Sequence, residues 1–222
     1  MNAPSHQALL AERPQTAREE QVNALSHGIG FVLAAASWPI LTDFAAQHGG
    51  PHGALGASVF SLSMMLVYAA SMVYHALPRG RAKRWAQRID HAAIFIFIAG
   101  SYTPFALGPL RDGVGWPLLA AVWSLAIVGV GCKACGRLSG TLPSTLMYAL
   151  MGWLALTVLD PLMARIGGDA LALLLAGGVA YTVGAVFFLL DHRLRFGHFV
   201  WHLFALAGSA CHFFAAALGP MA

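Results

Sequence analysis

Charge is what this sequence has least of. Only 10% of its 222 residues are Asp, Glu, Lys or Arg, against about a quarter in an average soluble domain, while 58% are hydrophobic. So few charges leave too little polar surface to cover a globule in water, which excludes an ordinary soluble domain. Cysteine is also scarce. Cys132, Cys135 and Cys211 are odd in number and form a single CxxC, so there is no disulfide framework. The "CKAC" pair lacks the surroundings of a thioredoxin-like redox motif. No internal repeat, low-complexity tract or separate soluble domain stands out. Residues 1–20 carry charges of both signs rather than the pattern of a cleavable signal, so the first apolar run is expected to direct its own insertion. The formal net charge of +4 does not point to nucleic acid, because the basic residues fall in short loops between apolar runs.

What the sequence has in quantity is long apolar runs. About 20 apolar residues cross a ~30 Å hydrocarbon core, and seven runs of that order recur, at about 22–46, 54–77, 89–109, 115–132, 142–163, 169–190 and 198–219. Each is continuous rather than alternating, so the spans are helices and not barrel strands. Short turn-rich joints separate them, among them "HGGPHG", "LPRGRAKR" and "DHRLRFG". The expected fold is an all-α integral membrane protein, a seven-transmembrane-helix bundle. A polar tail at 1–19 precedes a membrane domain at 20–222. With seven spans, one side collects Arg13, Arg18, Arg79, Arg81, Lys83, Arg84, Arg88, Lys133, Arg137, Arg193 and Arg195, and the other only Arg111 and Arg165. Basic loops stay in the cytoplasm, so the amino terminus is expected inside and the carboxy terminus outside.

Histidines interrupt this apolar pattern. His198 and His202 are four residues apart on one helix face, the spacing by which a helix offers two imidazoles to one metal ion. They open the seventh span beside a basic loop. At the same membrane level Ser71 and His75 close span two, Asp90 and His91 open span three, and Glu20, Asn23 and His27 share a face where span one begins. A lone histidine at a helix end is usually solvated or hydrogen-bonded, but two on one stripe in lipid need a shared partner. His91 lies about 100° around the helix from Asp90, so both cannot point straight at one ion. His212 is about 15 Å deeper than His202 and fits an interhelical hydrogen bond instead. His6, His48, His52 and His192 fall in tails and loops. Pro104 is expected to kink span three, and Ser101 shares the face of Asp90 as part of a polar cavity wall.

In order along the chain stand Glu20-x-x-Asn23-x-x-Ser26-His27, Ser71-x-x-x-His75, Asp90 leading to Gly100-Ser101-Tyr102-x-Pro104, and His198-x-x-x-His202 with the later His212. This series resembles the hemolysin III family, the bacterial branch of the progestin and adipoQ receptor superfamily, itself similar to alkaline ceramidases. The resemblance runs from about residue 19 onward. It implies a seven-helix bundle in the plasma (inner) membrane with zinc near the cytoplasmic side, held by His75, His198 and His202. Asp90 would hold or activate the water at the zinc, with Ser71 beside it. Three functions follow as alternatives: a zinc-dependent hydrolase of a lipid amide or ester bond, a membrane-homeostasis regulator or receptor-like protein with a structural zinc, and a cytolytic pore former. A membrane lipid is the expected substrate or ligand in the hydrolase reading, with no role for nucleic acid.

Overall fold

The structure is a computed structural model that describes residues 14–138 and 140–218. Most of the expected tail, with His6 and Arg13, lies outside the described residues. The described residues form helices throughout: α1 (Ala17–Ala76), α2 (Arg81–Leu107), α3 (Gly115–Ala134), α4 (Thr141–Gly152), α5 (Leu159–Met163), α6 (Gly168–Leu190) and α7 (Gly197–Leu218). Among them are six helical stretches long and apolar enough to cross a membrane, with Thr141–Met163 counted as one.

α1 opens on a capping box that hydropathy reading passed over. Thr16 Oγ1 accepts from the Glu19 amide at 3.3 Å, and the Glu19 carboxylate accepts from the Thr16 amide at 2.9 Å, so two orphan donors are satisfied together. The helix is interrupted at Gly50, whose φ of 61° and ψ of −152° suit glycine, and Pro51 then restarts it. The chain folds back there. Thr42 and Ser58 share a hydrogen bond of 3.3 Å, whereas 16 residues of straight helix would hold them about 24 Å apart. The two halves of α1 therefore run antiparallel, which returns His75 to the end where Glu20 began.

Two boundaries differ from the hydropathy reading. α2 starts at Arg81, eight residues before the expected span. Its first turns, rich in the good helix formers Arg, Lys, Ala and Gln, need no lipid to be helical. The fifth run is not one helix, because Trp153–Val158 is a 3-10 segment between α4 and α5. The Tyr102 hydroxyl serves that break. It donates to the Gly152 carbonyl at 2.6 Å and accepts from the Ala155 amide at 2.9 Å. Backbone groups freed inside a membrane need such partners.

Close helix approach relies on missing side chains. A Cβ on Gly56 would come within 2.9 Å of the Pro104 Cα, so α1 and α2 touch backbone to backbone there. Pro104 itself lies in the last turn of α2, and Phe60, Phe95 and Val122 are fully enclosed between α1, α2 and α3. α6 and α7 mesh similarly, with Gly208 facing the Tyr181 ring and Gly184 facing Trp201 and Phe204.

Candidate metal centre

α1 delivers His75 from its last turn, and α7 delivers His198 and His202 from its first two. The three rings stand in a near-regular triangle. Their centroids are 4.9 Å apart for His75 and His198, 5.1 Å for His75 and His202, and 4.8 Å for His198 and His202. One nitrogen from each lies within 4.8 Å of the others, all three residues are buried, and the group could hold a metal ion. Among the described residues it is the only such group of three or more histidine, cysteine or carboxylate side chains.

The ring nitrogens that face away from one another each have a partner. His75 Nδ1 is 2.8 Å from Glu20 Oε2, and His198 Nδ1 is 2.9 Å from Asp191 Oδ2. A carboxylate only accepts, so both Nδ1 atoms carry the proton. His202 Nδ1 is 2.9 Å from Ser26 Oγ, whose single proton goes to the Asn23 carbonyl at 2.9 Å. With that proton on the carbonyl Ser26 accepts, which puts the His202 proton on Nδ1 as well. All three imidazoles thus present a bare Nε2 lone pair, and His75 Nε2 is buried without a hydrogen-bond partner. A metal-binding histidine almost always has its other nitrogen fixed in this way, so the donor set fits a divalent ion.

A further layer holds Glu20. Lys83 Nζ donates to its other oxygen at 3.0 Å, and to the Tyr74 and Leu77 carbonyls at 3.0 and 3.1 Å. Those carbonyls belong to the end of α1, so one ammonium caps the helix carrying His75 and braces its carboxylate. Glu19, buried beside Glu20, accepts from the Phe196 amide at 2.8 Å. That bond ties the loop before α7, where Phe196 takes a φ of 59°, to the start of α1.

A cavity of about 220 Å³ meets the site. His198, His202, His27, Ser71 and Asp90 line its polar end, and Val67, Ile94, Phe97 and Ile98 begin a mostly apolar wall. Asp90 is buried with Ser71 as its polar neighbour and stands outside the three-histidine group. His27 stacks on His202 at 3.5 Å, and neither of its nitrogens has a partner. Asn23 does not reach the histidines with its side chain, which bonds Gln15, but its carbonyl orients Ser26. His91 lines the cavity without joining the group. His212 bonds the Leu174 carbonyl of α6 at 3.3 Å, an interhelical contact as its depth suggested, and Ser101 does line the cavity. His48 and His52 are exposed, and the three cysteines are free.

Sequence reasoning missed Asp191, the role of Ser26, and Lys83 as anything but a loop charge. For Asp191 the only signal was a carboxylate in the short loop ahead of the histidine pair.

A family model described as haemolysin-III related matches residues 15–213. The chain is 42% identical over 200 residues to Hemolysin-3 of Bacillus cereus, covering 90% of this chain and 91% of that protein. It is 40% identical over 199 residues to a Hemolysin-3 homolog of Bacillus subtilis (strain 168), covering 90% and 93%. Human Monocyte to macrophage differentiation factor is 26% identical over 168 residues, covering 72% of this chain and 68% of that one. No solved structure matches it.

Proposed function

The chain belongs to the hemolysin III family, within the progestin and adipoQ receptor superfamily, and we propose that this multi-pass membrane protein is a zinc-dependent hydrolase of a lipid amide or ester bond. The observation that carries the reading is the trio of bare Nε2 atoms beside a cavity shared with Asp90 and Ser71. Three imidazoles with a fourth position left open is the donor pattern of catalytic zinc, whereas structural zinc has four protein ligands. No fourth histidine, cysteine or carboxylate among the described residues completes this group.

The chain's own residues supply the rest. Zinc held there would polarise a carbonyl and acidify water. Asp90 takes the proton of the attacking water on a carboxylate oxygen and returns it to the leaving nitrogen or oxygen. Ser71 hydrogen-bonds that carboxylate and keeps it aimed. Val67, Ile94, Phe97 and Ile98 hold the acyl chain and keep bulk water out.

Counting α1 twice, because it folds back at Gly50, makes seven crossings. The split of eleven basic residues against two then supports a cytoplasmic amino terminus, an external carboxy terminus and a site on the inner side of the plasma (inner) membrane. A second reading, a regulator or receptor-like protein with a structural zinc, is favoured by the division of the ligands between α1 and α7, since zinc would then staple two helices. A cytolytic pore needs a continuous polar path, and the mostly apolar cavity wall argues against one.

The deciding experiment incubates zinc-loaded protein with a lipid extract and measures released fatty acid by mass spectrometry. Wild type should release fatty acid, and Asp90→Ala should keep its zinc and release none. Release by neither protein from a broad lipid panel hands the lead to the regulator reading. Loss of zinc from Asp90→Ala would make Asp90 a fourth ligand and end the hydrolase mechanism.

A further inference from the structure

The cavity continues beyond the metal centre along one stripe of α7, where His198, His202, Ala205, Ser209 and His212 all line it. Ser209 gathers a second polar cluster. Tyr68 of α1 donates to Ser209 Oγ at 2.6 Å, Tyr181 of α6 lies 2.9 Å from the same oxygen, and Ser209 spends its own proton on the Ala205 carbonyl at 2.9 Å. A hydroxyl has one proton, so with that of Ser209 on the carbonyl one helical turn back, Tyr181 is the donor in its pair. All three protons are committed, and the two phenols have only acceptor lone pairs left to offer.

His212 ends in the same state. Its Nε2 faces the Leu174 carbonyl at 3.3 Å, and a carbonyl brings no proton. The hydrogen therefore sits on Nε2, and Nδ1 is a bare acceptor, buried and without a hydrogen-bond partner. Buried polar atoms left unpaired are costly and uncommon. Tyr68, Tyr181 and His212 all line this stretch of the cavity, and with their protons so placed they have acceptors and no free donor to offer it. None of these groups is acidic, so a cation there would be buried uncompensated. A neutral O–H donor is what the chemistry suits.

We propose that this stretch is a subsite for a hydroxyl group carried part-way along a lipid acyl chain. The proposal rests on the acyl-chain reading of the cavity and adds a substrate class to it. The helix sets the ruler. At ~1.5 Å per residue, Ser209 lies about 10 Å and His212 about 15 Å beyond His202 along α7. With C–C bonds of ~1.5 Å, an extended chain advances about 1.25 Å per carbon. A chain whose carboxyl carbon sits at the three histidines therefore brings roughly its ninth to thirteenth carbons to the subsite.

The test measures binding rather than turnover. Purified protein in mild detergent is loaded with a fluorescent fatty acid, which is displaced by octadecanoic, 12-hydroxyoctadecanoic or 12-oxooctadecanoic acid. The hydroxy acid should bind about tenfold more tightly than the plain acid, the worth of one good hydrogen bond. The oxo acid, which offers only an acceptor to acceptors, should bind more weakly than the plain acid. Tyr181→Phe, which keeps the ring, and His212→Leu should each reduce the hydroxy preference to below about threefold while leaving octadecanoic acid unaffected. Equal affinity for the three acids, or a preference untouched by both substitutions, overturns the subsite alone. Failure of every acid to displace the probe overturns the acyl-chain cavity and the subsite with it.

Discussion

Asp191→Ala tests the metal centre without touching a ligand. Asp191 belongs to the loop before α7 and meets the site through His198 Nδ1, at 2.9 Å. Removing the partner of a metal-binding histidine typically weakens metal binding tenfold to a hundredfold. The Asp191 side chain is partly exposed, so water screens its charge, and the lower part of that range applies, about 10- to 30-fold. Asp191→Asn separates orientation from charge. The amide oxygen still accepts from Nδ1, while the charge-assisted part, roughly half the bond's strength, is lost, which gives about threefold. Ser26→Ala removes a neutral, buried bond to His202 and should weaken binding about two- to tenfold. Zinc dissociation constants come from competition with a chromogenic chelator in detergent, with circular dichroism to show that each variant is helical. The expected order of weakening puts Asp191→Ala first. Wild-type affinity within twofold for both Asp191→Ala and Ser26→Ala, or an Asn variant as weak as the Ala variant, would refute the view that these groups orient the ligands by charge and hydrogen bond.

Elemental analysis of purified protein should find near-stoichiometric zinc in wild type, little in His75→Ala, His198→Ala or His202→Ala, and undiminished zinc in His212→Ala. A carboxy-terminal fusion to a reporter active only outside the cytoplasm should be active, and a well-expressed but silent fusion would contradict the seven-span orientation. Liposomes carrying pure protein should retain a trapped dye, whereas rapid size-limited leakage would promote the pore reading. Gly56→Ala should lower the melting temperature, because its Cβ would press on the Pro104 backbone and an overpacked contact costs about 1–3 kcal/mol. A melt unchanged from wild type would show that α1 and α2 can separate there freely.

The places of the apolar helices were legible in the sequence because a bilayer demands long uninterrupted apolar runs, and nothing else in the chain competes with that signal. His198 and His202 were legible as a pair because α-helical spacing is local: four residues always return a side chain to the same face. Placing His75 near them needed only the alternation of spans across the membrane. Tertiary structure decided what depends on residues distant in the chain. Glu20 meets His75 across 55 residues, and Ser26 meets His202 across 176. No periodicity links such positions, so the protonation of each imidazole could not be read until the helices were packed. The fifth run looked like one helix because hydropathy is blind to hydrogen bonding, and Tyr102, arriving from α2, provides for the backbone where that helix breaks. Asp191 reaches His198 through a loop whose Phe196 adopts a positive φ and whose amide is held by Glu19 from the other end of the chain. Local sequence set which side chains share a face. Which nitrogen each histidine turns to the site was settled only by partners that folding brought from elsewhere.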